Sequence, residues 1–79
     1  MAKLMMIKTI KETRLFRKNQ KCWIVFRAGD GSVNVVGKHR GKHRYVKAWL
    51  HDGEYAVPKE IGVSEEFYQK IMGSNIIQS

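Results

Sequence analysis

The run Lys21-Cys22-Trp23-Ile24-Val25-Phe26-Arg27-Ala28, continued by Gly29-Asp30-Gly31-Ser32 and Val33-Asn34-Val35-Val36, decides the fold of this 79-residue chain. Its opening part is rich in β-branched and aromatic residues and contains no breaker, so it reads as a strand. Glycines on both sides of Asp30 permit the positive φ values of a tight hairpin turn. Ser32 to Val36 then returns as the partner strand.

Working outward, residues 44–50 form a further strand, and His51-Asp52-Gly53 supplies the turn after it. Glu54 to Val57 is expected to pair back as a short edge strand, stopped by Pro58. A C-terminal helix is announced by Ser64 as N-cap and by Glu65 and Glu66 where the helix dipole favours anions. Gly73 suits the left-handed residue that closes such a helix. Phe67 and Ile71, with Tyr68 or Met72, give it an apolar face, and Val63 can staple onto Tyr68. So short a helix must lean on the sheet. Upstream, residues 3–18 have near-helical spacing of Leu4, Ile7 and Ile10, yet Ile7, Thr9 and Ile10 favour extended chain. The preferred reading is a strand over 4–10 and another over 13–17. The expected fold is α+β: a small antiparallel β-meander or SH3-like barrel of four to five strands with a short C-terminal helix.

Residues 1–79 form a single domain on this reading, and a chain this short buries only about 60% of the surface its unfolded form exposes. Its apolar fraction of 43% is that of a folded protein. The net charge of +8 is segregated. Residues 1–47 carry 13 Lys or Arg against Glu12 and Asp30, giving +11. Residues 48–79 carry Lys59 and Lys70 against Asp52, Glu54, Glu60, Glu65 and Glu66, giving −3. Segregation of this kind predicts one basic face, with nucleic acid the first partner to consider and an acidic protein or anionic membrane next. Cys22, the only cysteine, excludes an intrachain disulfide and a cysteine-based zinc site, which favours a reducing, cytoplasmic setting. The apolar run Leu4-Met5-Met6-Ile7 ends at Lys8, too short for a signal-peptide core or a bilayer span.

Between the hairpin and the next strand lies a tandem repeat, Gly37-Lys38-His39-Arg40-Gly41-Lys42-His43-Arg44. It packs Lys38, Arg40, Lys42 and Arg44, with His39 and His43, into eight residues. Such mutual repulsion makes sense as a polyanion contact, each cation replacing condensed counterions on a phosphate. The plainer alternative is a solvated, cationic hairpin loop. Each glycine is expected to relax the backbone at the start of its unit. Arg14, Arg17 and Lys18, with Lys21 nearby, are candidates to extend the basic patch.

Strand alternation adds a second signal. Cys22, Ile24, Phe26 and Ala28 face one way, and Trp23, Val25 and Arg27 the other. Later, Val46, Ala48 and Leu50 oppose Tyr45, Lys47 and Trp49. If the apolar faces meet the helix, Trp23, Arg27, Tyr45, Lys47 and Trp49 share an exposed surface suited to nucleic acid. The competing reading makes both tryptophans core residues.

No nucleophile elbow, phosphate loop or zinc-hydrolase pattern is present, so no catalytic residue, cofactor or metal is expected. His39 and His43 are four apart, but the surrounding cations oppose a dication. Cys22 reads as a small core residue, although Lys21 would lower its pKa were it exposed. The run Gly41-Lys42-His43-Arg44-Tyr45, followed by a strand, Val57-Pro58, Lys59-Glu60 and a helix, resembles the HicA-type toxins. These are small basic ribonucleases with a dsRNA-binding-like fold. That resemblance implies that His43 is the general acid or base of RNA cleavage. It covers only the second half, departs from the family at Lys42 and in the long 45–50 strand, and requires residues 3–18 to be a helix. In architecture alone, a basic small barrel with a C-terminal helix is similar to archaeal chromatin barrels and to KOW or SH3-like nucleic-acid binders.

These readings predict a non-enzymatic, duplex-DNA-preferring binding protein. The alternatives are a phage-type accessory or inhibitor protein that covers an acidic host protein, and the ribonuclease. A homodimer is compatible with each, and no membrane association is expected.

Overall fold

Five strands and a helix succeed one another as β1 (Ala2–Lys8), β2 (Lys21–Arg27), β3 (Val33–Lys38), β4 (Tyr45–Leu50), β5 (Lys59–Val63) and α1 (Glu65–Met72). The computed structural model describes residues 2–56, 58–73 and 75–79. The pairings between these strands are all antiparallel, and the strands lie in the order β4-β3-β2-β1-β5. The expected α+β architecture is thus present, a five-stranded sheet with one C-terminal helix. Among the described residues, no helix is long and apolar enough to cross a membrane.

The hairpin forms as its sequence dictates, with Gly31 at φ +91° and Asp30 accepting the Ser32 N–H at 2.9 Å. Gly53 also adopts φ +91° in the later turn. The alternation of β2, however, does not run through to its end. Ile24 pairs with Val35 while Phe26 pairs with Asn34, so Val25 is the extra residue of a β-bulge. The bulge turns Phe26 onto the side of Trp23, against the expectation that it would lie with Cys22 and Ile24. Arg27 is turned away in the same step, opposite Val33, whose other partner is Leu50.

Both sheet faces are covered, by different means. On one, Ile7, Cys22, Ile24, Val33, Val35, Val46, Ala48 and Leu50 form the main core, closed by Phe16 with Leu15 and Tyr55. On the other, Leu4, Val36 and Ile71 are buried among Trp23, Val25, Tyr45, Val63, Phe67 and Tyr68. The helix therefore packs on the face that mixes aromatics with cations, and the single exposed surface expected there does not form. The larger apolar face is left to the 9–20 segment. That segment contains no second strand over 13–17. Instead, Thr13 Oγ1 accepts the N–H groups of Leu15 and Phe16 at 3.2 and 3.0 Å, a turn that drives Phe16 into the core. Buried Thr9 ties the segment down, donating its hydroxyl to Arg17 O and accepting the Gln20 N–H.

The expected edge strand 54–57 is replaced by a single bridge of Tyr55 to Thr9, and Val57 lies outside the described residues. The last strand is instead β5, beyond Pro58, paired with the first strand from Ala2↔Val63 to Met6↔Lys59. Ser64 caps α1 as expected, its Oγ accepting the Phe67 N–H at 3.1 Å. Gly73 is not left-handed: it leaves the helix extended, at φ −68° and ψ 162°. The tail then crosses to β4, where Lys47 N–H donates to Ile77 O at 3.0 Å and Ser79 N–H to Lys47 O at 2.7 Å. This blunts an otherwise open sheet edge.

The two glycines of the repeat have unlike roles. Gly37 is buried in β3, where a Cβ would lie 2.6 Å from Cys22 Sγ and 2.8 Å from Phe16 Cε1. At Gly41 the nearest atom would be His39 Cε1 at 3.7 Å. Gly37→Ala is expected to cost about 1–3 kcal/mol through overpacking, and Gly41→Ala less than about 0.5 kcal/mol. Urea denaturation of both variants checks this, and equal losses would contradict it.

Candidate functional site

Two chain segments that are distant in sequence build one cleft. The 12–20 segment, pinned by Phe16, meets the repeat loop through backbone bonds. Arg40 N–H donates to Leu15 O at 2.8 Å, and an Arg17 guanidinium N–H donates to Arg40 O at 3.2 Å. Gln20 braces the walls: its Oε1 accepts the Arg17 N–H at 2.8 Å, and its Nε2 donates to Lys38 O at 2.7 Å.

The resulting cleft has a volume of ≈ 850 Å³. Among the described residues its lining holds six permanent cations, Arg17, Lys18, Lys21, Lys38, Arg40 and Lys42, with His39 and His43, and no carboxylate. Trp23, Tyr45 and Phe67 supply its apolar part. Trp23 meets Phe67 edge-to-face, with centroids 5.2 Å apart and planes at 75°. Lys70 Nζ lies 4.8 Å from the centre of the Tyr45 ring. A second cleft of ≈ 630 Å³ shares Lys38, His43 and Tyr45 with the first and adds Arg44 and Lys70.

Of the cleft cations, Arg40 is committed elsewhere. Its Nη1 lies 2.7 Å from Glu12 Oε2 and 3.0 Å from Thr13 O, so it clamps the two loops together. Among the described residues, the other five cleft cations form no ion pair with a carboxylate. Arg14 and Arg44 flank the loop on its other side, in a smaller cleft with His39 and Lys42. Of the sequence-designated residues, Trp23, Tyr45, Arg17, Lys18 and the repeat thus converge. Arg27, Lys47 and Trp49 stay outside the clefts. Trp49 sits four positions along β4 from Tyr45, packed edge-to-face on exposed Phe26 with centroids 6.1 Å apart. Lys21, named beside Lys18 as part of the basic segment, joins the cleft too, and Gln20 and Phe67 join it without having been designated. Lys21 was legible as one more cation beside Lys18, whereas Phe67 read simply as helix core.

Partial desolvation, and then the charges of Lys42, Arg44, Arg14 and Arg40, hold the His39 imidazole below its usual range. Its Nδ1 accepts the Gly41 N–H at 2.9 Å, which requires that nitrogen to be unprotonated. An anion bound among those same cations would restore the proton affinity of His39. The bound state then holds more protons than the free one, so affinity should rise as pH falls from about 7.5 to 5.5. His39→Gln should flatten that rise; a rise unchanged by the substitution would contradict it.

Catalytic constellations are weak here. Ser32 Oγ and His51 Nδ1 lie 3.2 Å apart, but Ser32 is buried and the Asp30 carboxylate is bonded to the Ser32 backbone rather than to the imidazole. Burial pushes the Cys22 thiol up to about 12, so it is an inert core group. Among the described residues, no three His, Cys, Asp or Glu side chains gather as metal ligands. β1 is a strand where the HicA-type likeness requires a helix. No family profile, curated protein or solved structure matches the chain.

Proposed function

We propose that this chain is a non-enzymatic nucleic-acid-binding protein whose contact surface is the cleft between the 12–20 segment and the Gly-Lys-His-Arg loop. The observation that carries the reading is the lining: among the described residues, six Lys or Arg side chains around aromatic rings, and no carboxylate. Cations that lack partners of their own repel one another, and a phosphate backbone relieves that repulsion while releasing its counterions. Arg40 is spent on Glu12, which leaves Arg17, Lys18, Lys21, Lys38 and Lys42 to meet about five phosphates. Phosphate and ring contacts of this kind carry little base information, so binding should be mainly sequence-tolerant. A sheet face seated in the major groove would favour duplex DNA, and α1 packs on the face that carries Trp23 and Tyr45.

Fluorescence anisotropy with labelled DNA and RNA over a salt series tests the reading. Binding with a steep inverse salt dependence, and intact RNA afterwards, is the expected result. Failure to bind any nucleic acid at low salt, with retention on an acidic protein matrix, would overturn it in favour of a protein-binding module.

A further inference from the structure

We infer that the cleft takes unpaired nucleotides, seating at least one base against Trp23, with the strand running on past Tyr45. This rests on the proposed nucleic-acid reading and narrows its ligand. The rings are half-buried on the sheet and helix, and the cations stand on the adjoining loops and strand ends. Trp23 and Lys38 share the helix-covered side: Trp23 pairs with Val36, and Lys38 pairs with Tyr45 two positions on. A cation that binds phosphate and a ring that binds a base therefore sit about 7 Å apart along the sheet, roughly the span of one nucleotide.

A duplex cannot use that arrangement. Its base faces are stacked inside, and its grooves offer edges, so rings at the base of a cleft stay untouched unless a base is unpaired. A single strand offers both faces and phosphates together. Trp23 and Phe67 meet edge-to-face and do not stack on each other, so their contact takes a face of only one of the two rings. The first cleft also does not end at Tyr45. Lys38, His43 and Tyr45 line the second cleft too, so a cationic track continues around the loop toward Arg44 and Lys70.

The test uses the full chain with Trp49→Phe, which leaves Trp23 as the only tryptophan. Oligothymidylate, oligouridylate and a blunt duplex, each of about 12 nucleotides per strand, are titrated at one salt concentration. Either single strand should quench Trp23 emission and bind at least about 10-fold more tightly than the duplex; their ratio tells DNA from RNA. Trp23→Leu should weaken single-strand binding by about 5- to 150-fold and leave duplex binding nearly unchanged. Because Trp23 also packs on Phe67, the quenching result decides the matter even should the leucine variant fail to fold. Duplex binding as tight as single-strand binding, or single-strand binding without quenching, overturns the inference while leaving the broader reading intact. Absence of binding by all three probes removes both.

Discussion

Phe16→Ala should remove about a quarter or more of the molecule's stability at room temperature. Phe16 is 1% exposed and closes the main core over Gly37 and Cys22, although it sits in a segment without regular secondary structure. Truncating a buried phenylalanine costs about 3–5 kcal/mol once the cavity is included. A domain of this length has a total stability of only about 4–12 kcal/mol. Few other groups cover that face, so the site cannot collapse to fill the space. The loss reaches the cleft as well, because the 12–20 wall is held to the sheet by this ring and its Thr13 turn. Urea denaturation monitored by far-UV circular dichroism checks the size of the effect. A loss under about 1 kcal/mol would mean that Phe16 does not close the core.

The second large effect is on binding. With about five phosphates engaged, the slope of log affinity against log salt should be about −4.5 for a duplex or −3.5 for a single strand. Between about 50 and 200 mM salt this amounts to a 100- to 500-fold loss of affinity. Lys38→Ala with Lys42→Ala removes two of the free cations and should shrink the slope by about 1.4–1.8. Lys59 lies on β5, outside the clefts, so Lys59→Ala should leave the slope unchanged. Equal slopes for the double variant and the Lys59 control would remove the loop from the contact surface.

Local chemistry made much of this fold legible. The hairpin of β2 and β3, the turns at Gly31 and Gly53 and the Ser64 cap are each decided by neighbours within a few residues. What escaped depends on distant partners. β5 carries a glycine and follows a proline, and it becomes a strand because Ala2–Met6 offers it a ladder. The bulge at Val25 leaves no mark in a run of uniformly strand-forming residues, yet it exchanges the faces of Phe26 and Arg27. The choice of face for α1 was equally hidden. Both faces of β2 are apolar enough to accept a helix, and the Phe16 turn takes the one that looked more suitable. The cationic half of the site was plain from charge and spacing. Its aromatic part was only half visible, since Phe67 reaches the cleft through helix docking.

The tandem Gly-Lys-His-Arg tract is a repetition of letters and not of architecture. Its leading copy begins at the end of β3 with a glycine that no side chain can replace without displacing core atoms, whereas its trailing copy is solvent-facing loop. Evolution can therefore treat the halves separately. Drift is confined at the first glycine by packing, while the second copy is free to lengthen, shorten or change its charge without disturbing the strands that carry it.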